Sequence, residues 1–243
     1  MRQELSSSNK TCIFGHCVMK QSNVIFSLIF FLNTAHFLLG QLPKGFCPID
    51  KENSTIVFAI KYSTTDNFVG RTIEGYSSPK VVLTTPAATA LENVQNALLT
   101  KGLGLKLFDA YRPQRSVEDF MRWINDEQDT LTKANYYPNL TKKELLEQGY
   151  IAKKSGHSRG STVDVTLIYT TGANKGMELD MGGRYDFFGE LSNYNYKHLT
   201  QKQKNNRQRL RELMIQNGFV PYDQEWWHFT LKNEPFPTTY FNF

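Results

Sequence analysis

Two short stretches, far apart in the chain, place histidines beside carboxylates. SGHSRGSTVD contains His157 and Asp164, and QEWWHF contains Glu225 and His228. Two imidazoles and one carboxylate are a sufficient ligand set for catalytic zinc, which takes three protein ligands and keeps a fourth position for water. A second carboxylate, outside the ligand set, can then remove a proton from that water. The four side chains together predict a hydrolytic zinc site, although no compact signature such as HExxH joins them.

Each of these residues also has an ordinary interpretation. A single histidine is more often a surface or hydrogen-bonded residue than a ligand, and a glutamate near tryptophan is usually incidental. After the first 40 residues, however, only His157, His198 and His228 remain. Two of the three lie next to carboxylates, in Gly/Ser-rich or Trp-rich settings, and that coincidence favours a shared site.

The alternation of residues after His157 gives Asp164 a direction. Asp164 stands between Val163 and Val165 in a stretch typical of a β-strand, and successive side chains of a strand point to opposite faces. Because the valine face belongs to the core, we expect Asp164 to point toward a cleft or solvent. The glycines of SGHSRGS are expected to let the preceding loop curl, so that His157 approaches the same point.

A further charged element is FDAYRPQRS, in which Arg112 follows a predicted strand and precedes Pro113. The proline biases Arg112 toward an extended backbone. An arginine at such a position can bind a carboxylate or a developing oxyanion with its fixed fork of donors. An ordinary ion pair, for example with Asp109, is the alternative, and the residues alone favour the ion pair.

The periodicity of apolar residues predicts an α+β domain, with helices grouped around a central antiparallel or mixed β-sheet. No repeat or long linker divides residues 41–243, which indicates one domain. Thr141 with Glu144 is expected to form a capping box. The predicted strands are 55–62, 103–111, 163–170 and 225–231, and the predicted helices are 85–99, 114–125, 141–148 and one from Thr200 that ends before Gly218.

The N-terminus has the pattern of a secretory signal peptide. A basic segment precedes the apolar run from Val24 to Leu39, and Gly40 follows that run. The run is shorter than the ~20 residues that span a bilayer, so an uncleaved anchor is the less favoured alternative. We expect residues 1–40 to be a signal peptide, with Met19 as an alternative start. The domain 41–243 would then be exported, periplasmic or secreted, without stable membrane insertion.

Composition and charge fit a folded domain without nucleic acid as a partner. The chain has 243 residues, of which 40% are hydrophobic, and a formal net charge of +5 that falls when the leader is removed. The basic run 202–211 is expected to be the solvated face of a helix whose apolar side includes Leu210 and Met214. Cys47 is the only cysteine after the leader, so no disulfide is expected. Oligomeric state cannot be deduced from these features.

In combination, SGHSRGSTVDVTL, FDAYRPQRS and EWWHF resemble the D-alanyl-D-alanine dipeptidases, the VanX-like zinc peptidases. The likeness extends to YSTTDNFVG, to MGGRYDFFGE and to the final NEPFPTTYFNF. It therefore covers essentially the whole chain after the leader. The resemblance implies an α+β fold with a central antiparallel sheet around a small closed site.

The resemblance also implies a role for individual residues, and none of the catalytic positions is substituted. One stretch, TTGANKGMELD (170–180), is longer than the resemblance leads us to expect, which would alter the cavity wall near the substrate. The implied roles are zinc ligation by His157, Asp164 and His228, general base and acid catalysis by Glu225, transition-state stabilisation by Arg112, binding of the substrate ammonium by Asp186, and substrate contact by Ser155.

The implied activity is hydrolysis of D-Ala-D-Ala, and of similar D,D-dipeptides, with one zinc ion per chain. A D,D- or L,D-carboxypeptidase that trims cell-wall peptides is an alternative within the enzyme class. An extracellular binding module with a non-catalytic zinc is a second alternative, which retention of Glu225 and Arg112 disfavours. An exported enzyme would act on dipeptides released outside the membrane. The roles of Arg159 and His198 remain open.

Overall fold

A five-stranded mixed sheet forms the centre of the fold. The structure, a computed structural model, describes residues 42–50, 54–77 and 81–243. Within those ranges the elements are β1 (Phe46–Pro48), β2 (Val57–Phe58), β3 (Val82–Thr84), α1 (Thr85–Leu99), β4 (Leu103–Asp109), α2 (Gln114–Asn125), α3 (Lys133–Tyr136), α4 (Lys142–Glu147), β5 (Thr162–Tyr169), α5 (Gln201–Gln216), β6 (Phe219–Tyr222) and β7 (Glu225–Leu231).

The order of strands in the main sheet is β2-β4-β5-β7-β6. β4, β5, β7 and β6 pair antiparallel with their neighbours, whereas β2 pairs parallel with β4. β1 and β3 form a separate antiparallel pair. The predicted α+β class with a mixed sheet is therefore confirmed.

The helices form where the apolar spacing predicts them. In α1, Pro86 occupies the first turn, and Leu91, Val94 and Leu98 are completely buried on one face. The helix packs against β4 and against α5. The predicted capping box of Thr141 and Glu144 is present at the start of α4. These local predictions are confirmed.

The predicted strand 55–62 is wrong over most of its length. Only Val57–Phe58 is a strand, and Lys61–Ser63 is a turn of 3₁₀ helix. Side-chain hydrogen bonds close the turn at the end of this stretch: Ser63 Oγ donates to the carbonyl of Ile60 at 2.8 Å, and the amide of Asn67 donates to the carbonyl of Thr64 at 2.7 Å. Such local side-chain bonds give the backbone an alternative to pairing in a sheet.

The basic run of α5 is also only partly solvated. Leu210 and Met214 are buried as predicted, but so is Arg207, with 1% of its surface exposed. Its guanidinium donates to the carbonyls of Met181 at 2.6 Å, Asn193 at 2.7 Å and Leu191 at 2.8 Å. Arg207 therefore anchors the segment that precedes α5, which apolar periodicity cannot predict.

The predicted signal peptide, residues 1–40, lies outside the described residues, as does the alternative start at Met19. Within the described ranges, no helix combines the length and apolar character needed to cross a membrane. Cys47 is a free, partly buried thiol.

Candidate active site

Three neighbouring strands place polar side chains in one row across the sheet. Asp109 at the end of β4 pairs with Asp164 in β5, and Asp164 pairs with His228 in β7. Directly paired residues of antiparallel strands project from the same face with Cβ atoms about 5 Å apart. The register of the sheet, rather than any local motif, therefore brings Asp164 to His228.

His157 reaches this row from a 3₁₀ turn, Gly156–Arg159, that precedes β5. The turn ends at Gly160 with φ of +80°, and a Cβ there would lie 2.1 Å from Phe46 Cε1. Gly160 thus has the conformational role that was predicted for it. Gly156 does not have a positive φ, and it is needed for space, because a Cβ would lie 2.7 Å from Thr162 Oγ1.

The ring orientation of His157 is fixed by the backbone. His157 is buried, and its Nδ1 lies 2.7 Å from the carbonyl oxygen of Ala110. Because a carbonyl only accepts, Nδ1 carries the proton and the lone pair is on Nε2. Nε2 lies 3.4 Å from His228 Nδ1 and 3.3 Å from Asp164 Oδ2. The imidazole therefore presents a free lone pair to the other two side chains.

The three side chains fit a metal ion. One ligand atom from each of His157, Asp164 and His228 lies within 4.8 Å of the others. Asp164 Oδ1 is 3.0 Å from His228 Nδ1, yet this buried oxygen has no hydrogen-bond partner among the described residues. The two atoms face each other at ion-pair distance without hydrogen-bond geometry, and an ion bound between the side chains would satisfy both. Two nitrogens and one carboxylate oxygen suit catalytic zinc.

The carboxylate of Asp164 is held in its ionised form, as a ligand must be. In the metal-free site burial raises the pKa of Asp164, but attraction to His157 and His228 in their protonated forms outweighs burial and lowers the pKa well below its usual range. A bound cation would take over this attraction while both imidazoles are neutral.

Glu225 lies beside the ligands at the start of β7. Its Oε2 is 3.5 Å from His228 Nδ1. Strict alternation would place these two residues on opposite faces of the strand, but the register shifts near the end of the β6–β7 hairpin, between Pro221 and Tyr222. Burial raises the pKa of Glu225 to about 7, and the nearby Asp164 adds to the rise. A carboxyl group with such a pKa can both accept and return a proton at neutral pH.

Arg112 forms an ion pair with Asp109 and also lines the cavity. Its Nε donates to Asp109 Oδ2 at 2.9 Å, so the ion pair exists. The same guanidinium lines the cavity, with Nη1 3.5 Å from Ser155 Oγ. Ser155 also caps the 3₁₀ turn by accepting from the backbone NH of His157 at 3.3 Å. The ion pair orients Arg112 toward the cavity.

All seven predicted site residues line one cavity of about 210 Å³. On the wall of this cavity lies Asp186, which is 5% exposed and has a positive φ of 59°. Its Oδ1 accepts from Tyr62 Oη at 3.2 Å, while Oδ2 is buried without a hydrogen-bond partner in the described part of the chain. Burial, followed by repulsion from Asp164, raises the pKa of Asp186 well above its usual range.

Other residues on which the sequence left questions lie outside the cavity. Arg159 Nε donates to Glu234 Oε2 at 2.8 Å, which attaches the 3₁₀ turn to the C-terminal segment. His198 is exposed and packs edge-on against Tyr196. No residue of the longer stretch 170–180 lines the cavity, so the expected change in the wall near Asp186 is wrong for the described residues.

Sequence reasoning missed the aromatic part of the site. Tyr62, Tyr150, Phe188 and Tyr222 line the cavity, and Tyr185 Oη donates to Asp164 Oδ2 at 2.9 Å. In the sequence these aromatic residues resemble ordinary core residues. Only the position of Tyr185, immediately before Asp186, offered a local signal.

An ion held by two imidazoles and a carboxylate, next to a carboxyl group that can exchange protons, is the arrangement of single-metal hydrolases. Comparison with known families narrows this class. The chain belongs to peptidase family M15, because the family described as D-Ala-D-Ala dipeptidase matches residues 44–243.

Individual relatives agree with this assignment. The D-alanyl-D-alanine dipeptidase of Enterococcus faecalis is 40% identical over 202 residues, which cover 83% of this chain and 98% of the relative. That of Streptomyces coelicolor is 42% identical over 198 residues, 82% of this chain and 96% of the relative. That of Escherichia coli is 31% identical over 172 residues, which cover 71% of this chain and 77% of the relative.

A solved structure of the vancomycin-resistance D,D-pentapeptidase VanY in complex with Zn(II) is a more distant match. It aligns with a TM-score of 0.38 at 15% identity, over 64% of this chain and 76% of that chain. A likeness at this level carries no argument about function.

Proposed function

We propose that this protein is a zinc-dependent dipeptidase that hydrolyses D-Ala-D-Ala to free D-alanine. His157, Asp164 and His228 hold one zinc ion, and Glu225 is the general base and acid. The observation that carries the proposal is the convergence of one ligand atom each from His157, Asp164 and His228 within 4.8 Å, beside a carboxyl group of raised pKa. Membership of the dipeptidase family and about 40% identity to named dipeptidases supply the substrate.

The dimensions of the cavity favour a dipeptide over a longer peptide. Its volume of about 210 Å³ is below the roughly 300–1,000 Å³ typical of pockets for drug-sized ligands. The unpartnered Oδ2 of Asp186 offers an acceptor for the free ammonium of the substrate. A residue in the middle of a peptide has no ammonium to offer. Asp186 would therefore select the N-terminal residue of a short substrate.

In the proposed mechanism, zinc held by His157, Asp164 and His228 would polarise the scissile carbonyl and would lower the pKa of water, so that hydroxide is available at neutral pH. Glu225 takes the proton from the attacking water and then delivers it to the nitrogen of the leaving D-alanine. Burial raises the pKa of Glu225 to about 7 in the metal-free site, which favours return of the proton after attack, while a bound cation would favour the ionised form needed before attack.

Arg112 acts on the charge that develops as the carbonyl carbon becomes tetrahedral. The ion pair with Asp109 holds the guanidinium at the cavity wall, so its remaining N–H groups are oriented before the reaction. Ser155, within 3.5 Å of Arg112 Nη1, offers a hydroxyl to the substrate at the same place. Asp164 and His157 remain fixed by the sheet and by the Ala110 carbonyl throughout.

The experiment that tests this proposal is a comparison of Glu225→Gln with Glu118→Gln. Glu118 is an exposed residue of α2, so its substitution is a matched control. We expect Glu225→Gln to retain one zinc per chain and to lose about 10²–10⁴-fold in kcat on D-Ala-D-Ala, the typical contribution of general acid–base catalysis. Near-normal turnover by Glu225→Gln would remove the proposed base.

A longer substrate separates the dipeptidase from a carboxypeptidase. Free D-Ala-D-Ala and a pentapeptide stem that ends in D-Ala-D-Ala would be compared with the wild-type protein. We expect hydrolysis of the dipeptide and not of the stem, because the nitrogen of the penultimate D-alanine in the stem is an amide and offers no ammonium to Asp186. Preference for the stem would indicate a D,D-carboxypeptidase.

We also propose that the domain is exported, with residues 1–40 as a cleaved signal peptide. The basic segment and the apolar run Val24–Leu39 support this, and the match to the family begins only at residue 44. An exported enzyme would degrade dipeptides released from cell-wall material outside the membrane. N-terminal sequencing of the mature protein should give a start near residue 41, and recovery of residues 24–39 in the mature protein would contradict cleavage.

A further inference from the structure

A tyrosine hydroxyl contacts the carboxylate that we assign to zinc. Tyr185 Oη donates to Asp164 Oδ2 at 2.9 Å, whereas no described residue donates to Asp164 Oδ1. The two oxygens are therefore not equivalent. Oδ2 accepts from Tyr185 and lies 3.3 Å from His157 Nε2, whereas Oδ1 faces His228 Nδ1 at 3.0 Å and has no donor with hydrogen-bond geometry among the described residues. Building on the proposed zinc function, we propose that Tyr185 is a positioning residue that fixes Asp164 as a one-oxygen ligand.

Packing holds the ring of Tyr185 in place independently of its hydroxyl. The side chain is buried at 6% exposure. It stacks on Phe108, with ring centroids 4.6 Å apart, and meets Trp227 edge-on at 5.4 Å. Removing the hydroxyl alone leaves these apolar contacts intact. The ring is thus a rigid support that carries one hydrogen-bond donor to Asp164.

The neighbouring hydroxyl of Tyr62 indicates which way the proton of Tyr185 points. Tyr62 Oη lies 3.2 Å from Tyr185 Oη and donates to Asp186 Oδ1 at 3.2 Å. Each phenol has a single proton to donate. An ionised carboxylate is a stronger acceptor than a phenol oxygen. The proton of Tyr185 therefore goes to Asp164 Oδ2, which at 2.9 Å is also the nearer of the two acceptors.

The hydrogen bond matters because a carboxylate rotates easily. The terminal torsion of aspartate is broad, so an unrestrained Asp164 could turn either oxygen, or both, toward a metal. Outer partners that orient a metal ligand typically contribute about 10–100-fold to metal affinity or activity. We expect Tyr185 to supply a contribution of that size through its hydroxyl alone.

The test compares Tyr185→Phe with Tyr137→Phe. Tyr137 is also buried, and its hydroxyl donates to the backbone of Asp129 at 3.4 Å, outside the cavity, so the control removes an equivalent group elsewhere. Zinc dissociation constants are measured on the metal-free full chain by competition with a chelator. We expect Tyr185→Phe to bind zinc about 10–100-fold more weakly than wild type, and Tyr137→Phe to bind as wild type does.

A spectroscopic measurement tests the one-oxygen claim directly. With cobalt(II) in place of zinc, visible d–d absorption weakens as the coordination number rises. We expect cobalt-loaded Tyr185→Phe to show weaker absorption than wild type, and Tyr137→Phe to match wild type. The KM for D-Ala-D-Ala should be the same in Tyr185→Phe as in wild type.

The possible outcomes separate the two proposals. If wild type binds zinc and Tyr185→Phe binds it equally well, the positioning role is overturned and the proposed function stands. Wild type that binds no zinc would overturn both. In the remaining case, Tyr185→Phe binds zinc more weakly because its fold is less stable. Melting temperatures of the metal-free variants detect this case. If the loss of stability accounts for the whole loss of zinc affinity, the positioning role is also overturned.

Discussion

Asp186→Asn is the substitution that most sharply tests substrate recognition. The side chain keeps its shape, and the amide oxygen can still accept from Tyr62 Oη, which lies 3.2 Å away. What disappears is the negative charge. Asp186 holds a proton in the empty, metal-free site, but a bound zinc ion and the ammonium of the substrate would favour its ionised form. Truncating one partner of a buried, hydrogen-bonded charge pair costs about 2–5 kcal/mol. Because Tyr62 keeps its partner, we take the lower end, which is a loss of about 30-fold in kcat/KM.

The assay compares D-Ala-D-Ala with N-acetyl-D-Ala-D-Ala, which has no ammonium. We expect Asp186→Asn to lose about 30-fold on the free dipeptide and to leave unchanged the much slower wild-type hydrolysis of the acetylated one. Equal losses on both substrates would refute the reasoning, since the carboxylate would then act on something other than the ammonium.

Stability should move in the opposite direction from activity. Burial and repulsion from Asp164 raise the pKa of Asp186 well above its usual range, so the folded, metal-free protein binds a proton that the unfolded chain releases above about pH 4. Wild type therefore loses stability as pH rises above that value, and Asp186→Asn does not. In denaturation of metal-free protein, the variant should exceed wild type in stability at pH 7 and match it near pH 3.

Further predictions concern the oxyanion, the fold and the turn that carries His157. Arg112→Lys should keep zinc, measured by metal analysis, and lose about 10²–10³-fold in kcat, because lysine lacks the fork that is anchored on Asp109; an unchanged kcat would contradict this role. Asp119→Asn should cost about 1–3 kcal/mol in urea denaturation at pH 7, since Arg71 donates twice to Asp119, at 2.7 and 2.9 Å. Burial raises the pKa of Asp119, but these hydrogen bonds outweigh burial and lower the pKa. The difference in unfolding free energy between the variant and wild type should therefore disappear progressively as pH falls below about 4. Gly160→Ala should lower both the melting temperature and zinc content, because φ is +80°, and a wild-type melting temperature would refute this.

Much of the local structure could be predicted because it depends on neighbours in sequence. α1 and the capping box at Thr141 follow from apolar spacing and from cap residues. Asp164 alternates with buried valines, and this alternation correctly directs it to a cleft. The predicted strand 55–62 failed because the backbone turns after Ile60, whose carbonyl accepts from Ser63 Oγ at 2.8 Å, and propensity does not include such bonds.

The site depends on contacts that are distant in sequence. The pairing of Asp164 with His228 is a matter of strand register, and the sequence does not encode register in a readable form. Asp109 was considered only as an ion-pair partner of Arg112, although it also adjoins His157 at 3.5 Å. Tyr185 resembles a core aromatic residue in the sequence, and only the structure shows its hydroxyl at Asp164. The roles given to the seven site residues remain predictions.

The most direct test of the central claim is a zinc titration of metal-free protein, with the release of D-alanine from D-Ala-D-Ala as the signal. We predict that activity is absent without zinc, rises in proportion to added zinc and saturates at one zinc per chain. Hydrolysis by the metal-free protein, or no hydrolysis at any zinc concentration, would contradict the claim.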